Sequence, residues 1–265
     1  MPSVGVGFYI PPMPRFRDTA ICLRSIEWSE TSQIVVLLTE RRGKVRGLAK
    51  GSKRLSPSSI ARFSGGIELL QRGEVMATTK ATAELAAVTE WDLHDEHMNL
   101  RRSLRAQRLA MYAAELCDAL IEELDPHPAS FEALAGFLAC ARGGDSLERE
   151  LLRVQWALIV DAGFKPELRS DVQTGERAAV EADEGPALAF DARAGGLTAS
   201  AGPGAWKLRR STAALLRKLD DGGEASEAAL AAAEAPALSR ANRLLCSYLR
   251  EVLGRELATM PIVLG

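Results

Sequence analysis

The sequence predicts an α+β chain in two parts, a small closed β-barrel followed by an α-helical bundle. Three observations predict it. Short β-branched runs separated by Gly-containing turns fill about the first 80 residues. Apolar residues at helical spacing dominate from about residue 95 onward. The charge divides in the same region: residues 1–80 carry 13 Lys and Arg against 6 Asp and Glu, and the rest of the chain carries the acidic excess. A basic first part on an acidic remainder indicates two domains with different partners, and only the basic part suits a polyanion.

The barrel elements follow in order. Residues 1–17 read as a flexible, Pro-rich arm. Asp18–Ile26 is the first strand. Gln33–Thr39 (QIVVLLT) is an almost unbroken apolar run, as a strand buried on both faces would be. Glu40-Arg-Arg-Gly43 supplies a hairpin turn, and Lys44–Lys50 returns as a strand with Lys44, Arg46 and Leu48 on one face. Residues 51–59 read as a polar loop. Two more strands are expected at 66–72 and 74–80, split at Gly73. Five short strands fit an OB-type barrel, and an SH3-like barrel fits the same spacing. The barrel is expected over 18–88 and the helical domain over 89–265.

Helices are expected over about 95–124, 130–142, 145–161, 207–220, 224–234 and 236–257. Residues 165–205 lose helical periodicity and form an inserted loop, with a possible hairpin from 188–190 and 196–198. The whole chain has 265 residues, 47% of them hydrophobic and 26% charged. That composition excludes collagen-like, disulfide-rich and broadly disordered classes. No apolar run is long enough to span a membrane. The first 14 residues lack the basic and apolar regions of a signal peptide, so a cytoplasmic protein with reduced thiols is expected. The cysteines, Cys22, Cys117, Cys140 and Cys246, form no C-x-x-C pair.

No catalytic constellation emerges, and no enzyme, metal or cofactor is expected. His94 and His97, with Asp92, have a spacing that could hold a metal on a helix. The plain alternative is a polar, exposed helix start. The strongest signal is a basic cluster. Arg41, Arg42, Lys44, Arg46, Lys50, Lys53 and Arg54 fall within 14 residues, and no acidic residue lies between Arg41 and Arg62. Alternate residues of a strand lie about 7 Å apart on one face, a spacing that can follow a phosphodiester backbone. The alternative is a solvated barrel edge guarded by lysine. Trp28 and Phe63 are the aromatic candidates for base stacking, and a core position is the favoured reading of each. Arg101, Arg105 and Arg108 mark one helix face as a secondary DNA or partner surface, or as salt bridges to acidic helices.

Several motifs together resemble the bacterial RecO recombination-mediator family. They are Ala20–Leu23 (AICL), Glu30–Val35 (ETSQIV) with Leu37–Glu40 (LLTE), Gly43-Lys44, Leu48–Gly51 (LAKG) and Lys53-Arg54. Farther on come Leu158–Gly163, Phe164-Lys-Pro166 with Leu168, and the final Leu249, Leu253-Gly-Arg255 and Leu257. The resemblance implies an N-terminal OB-fold, a helical domain and no enzymatic turnover. It implies binding of single- and double-stranded DNA and annealing of complementary strands. It implies work with RecR, on DNA covered by single-strand binding protein, to load the RecA recombinase. Many members carry a four-cysteine zinc module after the P-x-L segment. Here the corresponding positions are Asp171, Thr174, Ala199 and Gly202, which make no zinc set. A degenerate, zinc-less version of that loop is therefore expected, shaped by Leu188, Phe190 and Leu197 packing or else mobile. Two other readings stand beside the mediator. One is a protein–protein adaptor whose basic barrel docks an acidic partner. The other is a nucleic-acid enzyme using His94, His97 and Asp92.

Overall fold

The computed structural model describes residues 15–79, 83–140, 145–178, 180, 188–199, 202 and 204–265. Residues 1–14 of the expected 1–17 arm, the expected Gly143-Gly144 helix stop and the acidic run 181–184 lie outside the described residues, whereas Arg15, Phe16 and Arg17 are not an arm but open the first strand, with Phe16 buried in the barrel. Five strands, β1 (Arg15–Ser29), β2 (Ser32–Thr39), β3 (Gly43–Ala49), β4 (Arg72–Thr78) and β5 (Ala86–Asp95), form a closed barrel in the order β1-β2-β3-β5-β4. The β3–β5 pair is parallel and the other pairs are antiparallel. With helix α1 (Pro57–Phe63) between β3 and β4, this is the OB-fold arrangement rather than the SH3-like one.

β2 is buried along almost its whole length because its two faces meet different cores. Val35 and Leu37 point into the barrel with Phe16, Ala20, Cys22, Val45 and Trp91. Val36 and Leu38 point outward and join Ile21, Leu23 and the helical core. Burial pushes the Cys22 thiol up to about 12, as it does that of Cys117, so both stay protonated and unreactive at neutral pH.

Four expectations for the barrel are corrected. The stretch before Arg72 is no strand, since its backbone turns through positive φ at Gly66 and Leu70. Gly73 does not split two strands but lies inside β4. A side chain there would collide with the indole of Trp91 and the Asp92 carbonyl, so this glycine permits close packing. The strand expected at 74–80 is β4, and the fifth strand, Ala86–Asp95, lies where the sequence predicts none and crosses the expected barrel boundary at 88, so Asp92 and His94 lie on a strand, not at a helix start. A register shift against Met76 and Ala77 makes Thr89 an extra residue. It breaks the two-residue alternation of Ala86, Val88 and Trp91 that would have betrayed the strand. The polar loop expected over 51–59 in fact leads into α1, where Ser56 caps the first turn by accepting from the Ser59 N–H and Pro57 opens the helix.

The helical part comprises α2 (Leu104–Leu120), α3 (Pro128–Cys140), α4 (Asp145–Asp161), α5 (Arg210–Asp221), α6 (Gly223–Ala232), α7 (Ala235–Leu253) and the short α8 (Pro261–Leu264). α2 is shorter than the expected 95–124. A 3-10 turn at Met98–Arg102 precedes it, and Ser103 caps it by accepting from the Ala106 N–H at 3.2 Å. α4 is central, with Leu151, Leu152, Val154, Leu158 and Ile159 fully buried. A buried polar chain ties it to its neighbours: Tyr112 donates to Gln155, Gln155 to Asn242, and Asn242 to Glu148.

The inserted segment holds the expected hairpin, β6 (Ala189–Asp191) with β7 (Gly196–Thr198), and a third strand, β8 (Ala205–Lys207). Lys207 therefore ends a strand rather than opening a helix. Leu188, Phe190 and Leu197 are buried in the helical core. Packing does not act alone. The buried Asp171 carboxylate accepts from the N–H groups of Gln173 (2.7 Å), Thr174 (3.1 Å) and Ala199 (2.6 Å). It thus joins the turn at 171–174 to the strand end at Ala199, positions that the resemblance aligns with a zinc module. No group of three or more metal-ligating side chains occurs among the described residues.

These donors, the Ala199 N–H foremost, hold the Asp171 carboxyl below its usual range. Its contribution to stability is present above the unfolded value near 3.9 and is lost as pH falls through the lower folded value. Asp171→Asn should lower the melting temperature at pH 7. Thermal melts across pH should show that gap shrinking below about pH 4. A gap that does not change with pH would mean that the charge contributes nothing.

Candidate nucleic-acid interface

The outer face of β1–β2–β3 is arranged in cross-strand rows. Ile21, Leu38 and Lys44 form the first, Arg24, Val36 and Arg46 the second, and Ile26, Ile34 and Leu48 the third. In an antiparallel pair, residues opposite each other point to the same side. The first row lies beside α2 and is buried with it. Beyond it the face opens: Arg24 is exposed, Arg46 half exposed, and Ile26, Ile34 and Leu48 are partly exposed. Strands 2 and 3 of an OB-fold are its usual oligonucleotide-binding face.

The expected alternation of β3 is present, with Lys44, Arg46 and Leu48 facing outward and Val45, Gly47 and Ala49 buried. The seven cations nevertheless do not form one row. Arg41 and Arg42 sit at the β2–β3 turn, while Lys50, Lys53 and Arg54 lie at the far end of β3, about 20 Å away. Lys44 is only 12% exposed, 3.4 Å from the Asp118 carboxylate, and donates to the Asp118 carbonyl. It belongs to the junction with α2 and not to an open surface. Arg46 faces Glu123 at 3.6 Å, and that pair is half exposed on both sides. The Arg41 guanidinium and backbone N–H both bond the buried Asp18 carboxylate at 3.1 Å. Lys53 donates to Glu27 at 2.7 Å and holds that carboxyl below its usual range. Arg42, which lies over the Phe16 ring at 4.7 Å, Lys50 and Arg54 have no ion-pair partner among the described residues.

The junction explains Gly43. β5 pairs only with Gly47–Ala49, so the first half of β3 has an open edge. The segment after α2 occupies that edge, with the Leu124 N–H donating to the Lys44 carbonyl at 2.9 Å. A Cβ on Gly43 would lie 1.9 Å from the Asp125 carbonyl oxygen, and its φ is +70°. Glycine meets both demands.

Gln33, which sequence reasoning passed over as one more strand residue, anchors the basic loop. It is fully buried. Its amide donates to Ser25 Oγ and the Ile67 carbonyl, and its carbonyl accepts from Ser52 Oγ and the Ile67 N–H. The neighbouring Ser32 hydroxyl accepts from the Gly51 N–H, and the Lys53 N–H donates to the Thr31 carbonyl. The loop carrying Lys50, Lys53 and Arg54 is thereby fixed against the β1–β2 hairpin.

Other candidates fare differently. Arg105 bonds Glu148 on α4, which favours the salt-bridge reading at that position. Arg101 lies in the 3-10 turn, so it does not share a helix with Arg105 and Arg108, although Arg101 and Arg108 are both exposed. Phe63 is buried in the barrel core, whereas Trp28 is 65% exposed, contrary to the core position favoured for it. His97 is buried rather than exposed, and its ring nitrogen Nδ1 lies 2.7 Å from the Leu70 carbonyl.

Replacing Gln33 by leucine strands the Ser52 hydroxyl and the Ile67 backbone groups in a buried site. Each unsatisfied group costs about 1–3 kcal/mol, so urea unfolding of Gln33→Leu should show a loss of at least ~2 kcal/mol. Hydrogen exchange should quicken first around residues 51–53 and 67.

Comparison with known proteins agrees with this geometry. Residues 13–97 match the family model for the Recombination protein O N terminal region, and residues 101–261 match that for its C terminal region. A protein of Anaeromyxobacter sp. (strain K) named DNA repair protein RecO is 31% identical over 250 residues, 93% of this chain and 94% of that protein. Proteins of the same name from Salinibacter ruber and Geobacter metallireducens are 36% and 35% identical over 43% and 51% of this chain, respectively, and 43% and 53% of their own lengths. No helix among the described residues is long and apolar enough to cross a membrane. With an OB-fold barrel joined to a helical domain and matches along nearly its whole length, the chain belongs to the recombination protein O family.

Proposed function

We propose that this protein is a DNA repair and recombination mediator whose barrel binds single- and double-stranded DNA through the phosphodiester backbone. In this reading it anneals complementary strands without enzymatic turnover. Together with RecR it helps load RecA onto DNA covered by single-strand binding protein. The observation that carries the reading is the half-open outer face of β1–β3. There Arg24 and Arg46 stand in one row, with Lys50 and Arg54 on the adjoining loop. Cations placed this way screen the repulsion between two strands and release counterions on binding, with no need for base-specific contacts.

Annealing of complementary oligonucleotides, bare and coated with single-strand binding protein, tests this across a salt series. Wild type should accelerate annealing, and the gain should fall steeply with salt. Arg46→Ala/Lys50→Ala should weaken binding and flatten the log–log salt slope by about 0.9 for each lost phosphate contact. Lys44→Ala should lower thermal stability and leave that slope unchanged, because its ammonium faces Asp118. Full activity in the Arg46/Lys50 variant would move the site, with Arg101 and Arg108 next to test. No binding at low salt would overturn the DNA reading in favour of an adaptor.

A further inference from the structure

The β1–β2 hairpin carries a feature that backbone binding does not require. Glu27 pairs with Gln33 and Ser29 with Ser32, so two steps on β1 match one on β2. Trp28 is therefore the extra residue of a β-bulge, a device that re-aims a side chain out of the ladder. It is 65% exposed, while Trp91 is buried and Trp156 and Trp206 are half-buried. Next to it the third row of the outer face, Ile26, Ile34 and Leu48, offers a partly exposed apolar surface. Cations border this surface on two sides: Arg24 and Arg46 in the next row, and Lys50 and Arg54 on the loop fixed to the hairpin. The carboxylates near it are Glu27, already bonded to Lys53, Glu30, Glu68 beside Lys53, and Glu123, 3.6 Å from Arg46.

An indole beside aliphatic side chains, edged by guanidinium and ammonium groups, fits a ligand with flat apolar faces on an anionic chain. Unpaired nucleobases on a phosphodiester strand are such a ligand, and a duplex, whose base faces are hidden, is not. We propose that the bulged Trp28 stacks an unpaired base, with Ile26, Ile34 and Leu48 as its floor, and that this contact makes the barrel face prefer single strands. The proposal rests on the DNA reading above and adds a substrate preference to it.

The test compares full-length wild type, Trp28→Ala, Trp28→Phe and Arg46→Ala on an oligothymidylate and on a duplex of equal length. Trp28→Ala should weaken single-strand binding by about 5- to 100-fold and leave duplex binding unchanged. Trp28→Phe should restore most of the loss. Single strands should quench the tryptophan fluorescence of wild type, and the Ala variant should lose that quenching. Arg46→Ala should weaken both forms. If Arg46→Ala behaves so while Trp28→Ala binds single strands normally, the stacking proposal falls, the DNA reading stands and the hairpin tip is left as a protein-docking surface. Equal losses on both forms in Trp28→Ala also overturn it. Wild type that binds neither form overturns both readings.

Discussion

Val36 and Leu38 pack outward against the helical core while Val35 and Leu37 pack inward, and this double burial of β2 decides which part of the barrel stays open. Burying one such side chain contributes about 1.5–3 kcal/mol. Ile21, Leu23, Val36 and Leu38 all take part on the outer side. An exposed ion pair contributes about 0–1 kcal/mol. The apolar contact therefore sets how the barrel sits on α2, and the charged pairs at its border adapt to that placement. One consequence is the contrast between Lys44 and Arg46. They are two residues apart on one strand face, yet the first is sealed against Asp118 and the second opens to solvent beside Glu123.

That contrast limits what a count of charges can say about an interface. All seven cations between Arg41 and Arg54 lie on or beside one strand, and four of them face a carboxylate. The buried Asp18 commits Arg41 to the barrel itself. Of the cations without an ion-pair partner among the described residues, Lys50 and Arg54 sit at the end of β3 away from the helical domain and Arg42 at the β2–β3 turn. Arg24, contributed by a different strand, stands in the row of Arg46. Cross-strand rows rather than consecutive residues set the spacing of this surface. Its Arg24–Arg46 separation is about two inter-strand distances, or ~10 Å.

Much of the architecture was legible in the sequence for physical reasons. An unbroken apolar run signals a strand buried twice, and the helices of the second part announce themselves by period and by stops such as Gly163 and Gly222, each at positive φ, although the last helix ends at Gly254 rather than running on to 257. What was hidden depends on register. The extra residue in β5 disguised its alternation, and the glycine within β4 resembled a break. The basic strand was found from its charge, but the partition between buried and open cations was not, because Asp118 and Glu123 lie about 75 residues farther along. Arg24, Gln33 and the outward turn of Trp28 were missed for the same reason. Two β-bulges in β1 change which face its side chains take, and no local pattern reports a bulge that only its partner strand defines.

The inserted sheet is cross-linked by a carboxylate. A structural zinc holds two turns together by bonding a side chain from each. Asp171 does this with one carboxylate, accepting from two N–H groups of its own turn and from the Ala199 N–H across the gap. Hydrogen bonds to a charged acceptor are about twice as strong as neutral ones. The remaining cohesion comes from Phe190, which stacks near Trp206 and meets Tyr248 edge-on. Tyr248 in turn donates to the Phe164 carbonyl at 2.9 Å, beside the Lys165-Pro166 segment that leads into the loop. The module is thereby anchored to α7 by an aromatic cluster and closed at its far end by a carboxylate.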